Sequence, residues 1–344
     1  MCHAHPARRL IAALLLAVLP GVALAQVLED RRVWPGTGER TIRVISTADI
    51  DVFAPFVERI AAERPDLGID YAVASSAELH RAIAEGASYD LAISSAMDLQ
   101  FQLANDGLAR AHRSDATAGL PGWARWRDLL FAFTAEPAVA VISRARFAGR
   151  DRPRNRQDLI ALMRTDREAF ARAVGTYDVR DSGLGYLFAT QEARNSDTYW
   201  RLSELMGGLD VQLYCCSAQM IDDVASGRLA LAYNVLGSYA MARIARDDRL
   251  EILALQDYAT VMLRTAFIPA SAEDPEGAGA VLDAILRIGM RDDADALPLP
   301  PLGAVQGPEA TAFGPIRLGP GLLVHLDRLN REAFLAEWSD AMLQ

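Results

Sequence analysis

RTIRVISTADIDVFAPFVERIAAERPDLGIDYAVASSAELHRAI (residues 40–83) and YDLAISSAMDLQFQLANDGLA (residues 89–109) decide the fold class. TIRVIS (41–46) is a short apolar run and reads as a buried strand. Over 50–63, Phe53, Phe56, Val57 and Ile60 fall on one helical face, and Pro65 stands just past the end. IDYAVA (69–74) is a second strand, followed by a short helix over 77–85 that stops at Gly86. YDLAIS (89–94) is a third strand, and 96–106 a third helix closed by Gly107. Strands alternating with amphipathic helices predict an α/β fold with a parallel sheet.

Downstream, FAFTAEPAVAVIS (131–143) reads as one or two strands with no helix between them, so the chain can leave one α/β unit there and enter another. The second unit has helices over 156–164, 166–173 and 184–206, strands over 175–179, 209–214 and 228–235, and helices over 218–226 and 237–246. A strand-rich stretch over 250–270 reads as the return crossing. A helix over 275–290, a Pro/Gly-rich segment (298–321) and a helix over 327–342 follow. The expected organisation is lobe 1 over 41–135 plus 265–344 and lobe 2 over 136–264. Two lobes joined by two crossings suit hinge closure on a ligand.

Upstream, residues 26–40 read as an irregular lead-in. Residues 1–25 read as a cleavable export signal: Arg8 and Arg9, an apolar run from Leu10 to Leu19, then Ala23-Leu24-Ala25 before the expected cleavage point after Ala25. The apolar run is shorter than the roughly 20 residues an anchor needs. The expected location is therefore the periplasm. The chain carries a formal charge of −10, and removal of 1–25, with two arginines and no acid, leaves −12. Such acidity argues against nucleic acid as a partner. There is no lysine, which excludes a Schiff-base lysine and a phosphate-loop lysine. His80, His112 and His325 lack metal-ligand spacing, so neither metal nor cofactor is expected.

The candidate site rests on a recurrence. The first three strands end in Ser46-Thr47, Ser75-Ser76 and Ser94-Ser95, each at the start of a helix. Ligands of open α/β sheets bind outside such strand ends. Helix N-termini there offer free N–H groups and partial positive charge, to which hydroxyls add donors. Helix capping accounts for any one pair equally well. Asp49 and Asp98 lie in first helical turns, where they satisfy the dipole; either would repel an anion if it faced a cleft. In the second unit, Arg180 and Ser182 follow a strand end. Arg180 can clamp an anion or pair with Asp178 or Asp181. Tyr214, Asn234, Ser238 and Tyr239 stand at further strand ends. Cys215 and Cys216 are adjacent, and in an oxidising compartment they can form a disulfide with each other, stay as thiols, or pair between chains. Trp123, Trp126 and Trp200 read as lobe packing. A secreted α/β enzyme is the competing class, but G-x-S-x-G and H-E-x-x-H are both missing.

These stretches, with VASGRLALAYNVLGSYA (224–240) and FIPASAEDPEGAGAVLDAIL (267–286), resemble the periplasmic solute-binding proteins of ABC transporters. The chain is similar in particular to the iron(III)-type, family 1 extracellular binding proteins, and it also resembles the phosphoglycerate-transport regulatory branch. The resemblance implies a two-lobed Venus-flytrap fold of type II and a monomer that captures a small solute. It implies delivery to an inner-membrane ABC permease or, in the regulatory branch, to a sensor histidine kinase. Iron-binding members use adjacent tyrosines; here Tyr214 is followed by Cys215, a departure from that pattern. With the hydroxyl-tipped strand ends, the expected solute is a carboxylate- or phosphate-type anion, and ferric iron is the alternative.

Overall fold

The computed structural model of the chain describes residues 27–253, 255–291, 297–302 and 315–344. The stretch 1–25, expected to be an export signal, and the middle of the Pro/Gly-rich segment lie outside these residues. The chain opens with β1 (Asp30–Trp34), β2 (Arg40–Ser46), α1 (Ile50–Glu63), β3 (Leu67–Val73), α2 (Ser76–Ala84), β4 (Leu91–Ser94) and α3 (Met97–Asn105). Three short pieces, β5 (Ala109–Arg110), α4 (Asp115–Ala118) and β6 (Arg125–Trp126), lead into β7 (Leu130–Ser143). Next come α5 (Arg156–Thr165), α6 (Arg167–Phe170), β8 (Val174–Tyr177), α7 (Gly183–Asn195), α8 (Thr198–Gly207), β9 (Gln212–Tyr214), α9 (Ser217–Ala225), β10 (Leu231–Leu236), α10 (Gly237–Ile244) and β11 (Leu250–Leu253). β12 (Val261–Pro269), α11 (Pro275–Gly289) and α12 (Arg328–Met342) complete it.

The fold is a two-lobed α/β arrangement built on one continuous sheet, ordered β1-β3-β2-β4-β12-β7-β10-β8-β9. β2 pairs in parallel with β3 and β4, so Ser46, Val73 and Ile93 lie level across the sheet. The three hydroxyl-bearing strand ends therefore emerge side by side. In the other lobe β8 pairs in parallel with β10 and β9, which brings Tyr177 level with Tyr214. Phe53, Phe56, Val57 and Ile60 of α1 are buried, as their spacing predicts.

β7 is one strand of 14 residues and belongs to both lobes. Phe131 to Pro137 pair with β12, while Ala138 to Ile142 pair with β10. Pro137, which has no N–H to donate, stands where the partner changes. β7 and β12 are thus the two crossings, hydrogen-bonded to each other.

Three details depart from the sequence reading. The lead-in over 26–40 holds β1, antiparallel to β3. β1 has a mostly exposed DRRVW sequence and so carries no apolar alternation to announce it. The helical stretch 184–206 is two helices, because Ser196 is extended between α7 and α8. The C-terminal helix, grouped with lobe 1 in the sequence reading, packs instead on α8. Trp338 is fully buried there, Phe334 lies 5.6 Å from Trp200, and both aromatics join the second lobe's hydrophobic cluster. Gly207 permits the approach: a Cβ there would lie 2.1 Å from the Ala341 carbonyl oxygen. Trp126 packs on Phe101 at 4.5 Å.

Candidate functional site

Between the lobes lies a cavity of about 260 Å³. Lobe 1 lines it with Thr47, Asp49, Ala74, Ser75, Ser76 and Ser95, and β1's approach adds Glu29. Lobe 2 contributes Tyr177, Asp181, Ser182, Leu184, the Cys215–Gln219 stretch, Leu236 and Tyr239. α2, α7 and α9 all begin at this cavity. Ser75 caps α2 by accepting from the Glu78 amide at 3.2 Å, and Ser182 caps α7 by accepting from the Gly185 amide at 3.1 Å. Cys216 stands at the N-cap of α9 without a side-chain cap.

The hydroxyl pairs divide by strand alternation. Ser46 and Ser94 are buried and face inward, each accepting from the amide two residues on, at Ala48 and Ala96. Thr47 and Ser95 face the cavity and touch each other: the Ser95 amide donates to Thr47 Oγ1 at 3.0 Å, and the two hydroxyl oxygens are 3.3 Å apart. At the end of β3 both residues, Ser75 and Ser76, reach the cavity. Ser76 Oγ accepts from the Gly183 amide of the other lobe at 3.1 Å.

A second bridge between the lobes is the Asp49 amide, which donates to Tyr239 Oη at 3.2 Å. Burial pushes the half-buried Asp49 carboxyl above its ordinary pKa, opposed by the Tyr239 hydroxyl and Arg264. Glu29 is raised too, first by burial and then by the charge of Asp49. Burial also raises Tyr239 and Tyr177, so both phenols stay protonated and can hydrogen-bond. No arginine lines this cavity among the described residues. The N-termini of α2, α7 and α9 supply partial positive charge there.

Four residues singled out in the sequence lie elsewhere. Arg180 forms a bidentate pair with Asp178, at 2.8 Å and 2.5 Å, the alternative its sequence neighbourhood offered. Tyr214 turns its hydroxyl to Asp223 Oδ2 at 2.5 Å. Asn234, left-handed at φ 64°, donates to the buried Glu192 at 3.2 Å. Ser238 is buried and donates to Glu136 in the hinge. The last three are claimed by carboxylates too far along the chain, or too deep, for their types alone to announce. Tyr177, Gln219 and Glu29 reach the cavity unannounced, while Ser217 arrives with LYCCS (213–217), a stretch between a strand and a helix; Tyr177 Oη and Ser217 Oγ lie 2.5 Å apart.

Cys215 and Cys216 form a disulfide with each other and line the cavity. No cluster of three or more His, Cys, Asp or Glu suited to a metal ion occurs among the described residues. No helix among them is long and apolar enough to cross a membrane.

Gly183→Val tests the bridge at Ser76. A Cβ at Gly183 would lie 2.6 Å from Ser76 Oγ and 2.9 Å from Leu99 Cδ1. Overpacking costs about 1–3 kcal/mol, and here it falls on the closed arrangement. Calorimetry with any bound solute should show affinity lower by about five- to 150-fold. Unchanged affinity would mean that this contact has no part in closure.

No protein-family model matches the sequence, and no curated protein matches it. Among solved structures, the chain is similar to the substrate binding protein of the ABC transporter from Agrobacterium tumefaciens. The two share 29% identity over 92% of this chain and 98% of that one, with a TM-score of 0.84. It is also similar to the periplasmic binding protein AfuA from Actinobacillus pleuropneumoniae with fructose-6-phosphate bound (15% identity, 89% and 99% covered, TM-score 0.70). Iron-bound HitA from Pseudomonas aeruginosa is a further likeness (13% identity, 88% and 99% covered, TM-score 0.63). The last two, at such identities, speak for the fold alone. The first of these is the substrate binding protein of an ABC transporter, and the resemblance read from the sequence agrees with it.

Proposed function

We propose that this chain is a periplasmic solute-binding protein that captures a small hydroxylated organic anion, a phosphate ester or a carboxylate, between its lobes. It hands that solute to an inner-membrane ABC permease and performs no chemistry on it. The lobes divide at Pro137 and near Val261, the cavity residues are the solute contacts, and the signal that directs export is cleaved after Ala25.

One observation carries the reading: α2, α7 and α9, from both lobes, begin at a single hydroxyl-lined cavity. Helix N-termini supply N–H donors and partial positive charge to an anionic head without a lysine or arginine. Asp49, Asp181 and Glu29 accept hydrogen bonds from solute hydroxyls, which a bare oxyanion lacks. At about 260 Å³ the cavity lies just below the roughly 300–1,000 Å³ usual for ligand sites, so a small solute fits best. The ferric-iron reading draws less support, since Tyr214 is engaged with Asp223.

A thermal-shift panel tests this: fructose 6-phosphate, glycerol 3-phosphate, gluconate, inorganic phosphate, spermidine and ferric citrate. A ligand at a hundredfold its Kd adds about 2.7 kcal/mol to the folded state, a shift of several degrees. A phosphate ester or sugar acid should give it. A shift with spermidine or ferric citrate alone, or with none, rejects the proposed class.

A further inference from the structure

Both walls of the cavity carry polar groups, but only lobe 2 adds sulfur. Lobe 1 presents hydroxyls: Thr47, Ser75, Ser76 and Ser95. Lobe 2 presents Asp181, Ser182, Gln219 and Tyr239, and among them the Cys215–Cys216 disulfide, with the apolar Leu184 and Leu236 in the same lining. Disulfide sulfurs are soft, polarisable and poor acceptors, so this part of the wall gives little to a solute hydroxyl and suits a C–H surface. We infer that the Cys215–Cys216 disulfide is a solute-contacting, specificity-determining element that takes the apolar face of an organic solute and discriminates against inorganic oxyanions. The inference rests on the binding reading above and adds to it the shape of the solute: one oxygen-rich edge and one C–H face, as in a sugar phosphate.

The disulfide is placed for this by its neighbours. Immediately before it, the Tyr214 carbonyl accepts from the Asp178 amide at 2.8 Å, in line with the β8–β9 pairing. Immediately after it, Ser217 Oγ accepts from the Leu236 amide at 3.1 Å and meets the Tyr177 hydroxyl. The chain is thus fixed on both sides, and the two cysteines themselves hold no part of either lobe's core. Cys215 is exposed, within reach of a reductant. Reduction by a dithiol breaks the S–S bond and leaves two thiols on the protein, while the dithiol closes to its own disulfide. The fold should survive that change; the wall should not.

Calorimetry on the full mature chain tests the inference, with fructose 6-phosphate and inorganic phosphate as probes. Three forms are compared: oxidised, dithiothreitol-reduced, and Cys215→Ser/Cys216→Ser, with circular dichroism and melting as fold checks. The oxidised protein should prefer fructose 6-phosphate by tenfold or more, about the worth of one well-placed apolar contact. The reduced protein and the double variant should lose most of that preference while melting as before. Equal preference in all three forms overturns the role of the disulfide and leaves the binding reading standing. Binding of neither probe, nor of any other phosphate ester or sugar acid, by the oxidised protein overturns both. If the double variant does not fold, the reduced wild-type chain decides alone.

Discussion

Glu136→Ala lowers the unfolding free energy measured in urea by about 3–5 kcal/mol. Glu136 on β7 and Arg264 on β12 are both fully buried, on the two adjacent hinge strands. The carboxylate accepts from Arg264 Nε at 2.9 Å and Nη2 at 3.3 Å, from Thr134 Oγ1 at 3.1 Å, and from the Ser238 hydroxyl. Removing it leaves a guanidinium in the interior with no counter-charge. Arg264 Nη1 already has no hydrogen-bond partner among the described residues. Breaking one side of a buried pair is far more costly than replacing both sides by apolar groups. Glu136→Leu/Arg264→Met should therefore recover most of the loss, although Ser238 and Thr134 lose an acceptor. A loss below about 1 kcal/mol for Glu136→Ala would show that water reaches the pair.

The second large effect is a pH dependence removed by Asp98→Asn. Asp98, in the first turn of α3, is buried, and burial pushes its carboxyl up to about 7 against the pull of the Leu99 amide, its own amide and Arg331. Its unfolded value is the ordinary one. Between about pH 4 and pH 7 the folded chain holds a proton that the unfolded chain has released. Stability contributed at this position is thus complete below pH 4 and declines as pH rises, by about 4 kcal/mol in all up to pH 7. An arginine-paired carboxylate runs the other way: the Arg180 guanidinium holds Asp178 below its usual range, so that pair weakens as pH falls. Urea midpoints from pH 4 to pH 8 should slope downward in the wild type and flatten in Asp98→Asn. Parallel slopes would assign the trend to other groups.

The parallel β2-β3-β4 core was legible because its strands are buried on both faces and its helices keep one apolar stripe. Thr47, Ser75, Ser76 and Ser95 were legible as strand ends, but chemistry alone could not separate them from Ser46 and Ser94. The separation comes from pleating, which sends successive side chains to opposite faces. Arg180, Tyr214, Asn234 and Ser238 were misplaced for one shared reason. Each has a polar group that a carboxylate satisfies, and three of those carboxylates, Asp223, Glu192 and Glu136, sit nine or more residues away. Only the fold brings them together. Glu29 was invisible because β1 has no apolar rhythm. The C-terminal helix carried the right stripe, Phe334 and Trp338, but a stripe does not name its partner.

The placement of Pro137 at the change of strand partners has a consequence for how such a receptor is tuned. Where the closed state is only a fraction of the unliganded population, apparent affinity scales with that fraction. A substitution on the β7–β12 axle then multiplies affinity for every solute by the same factor. A substitution in the cavity wall re-ranks solutes against one another. Gain and selectivity therefore have separate addresses in this sequence, and either can drift without disturbing the other.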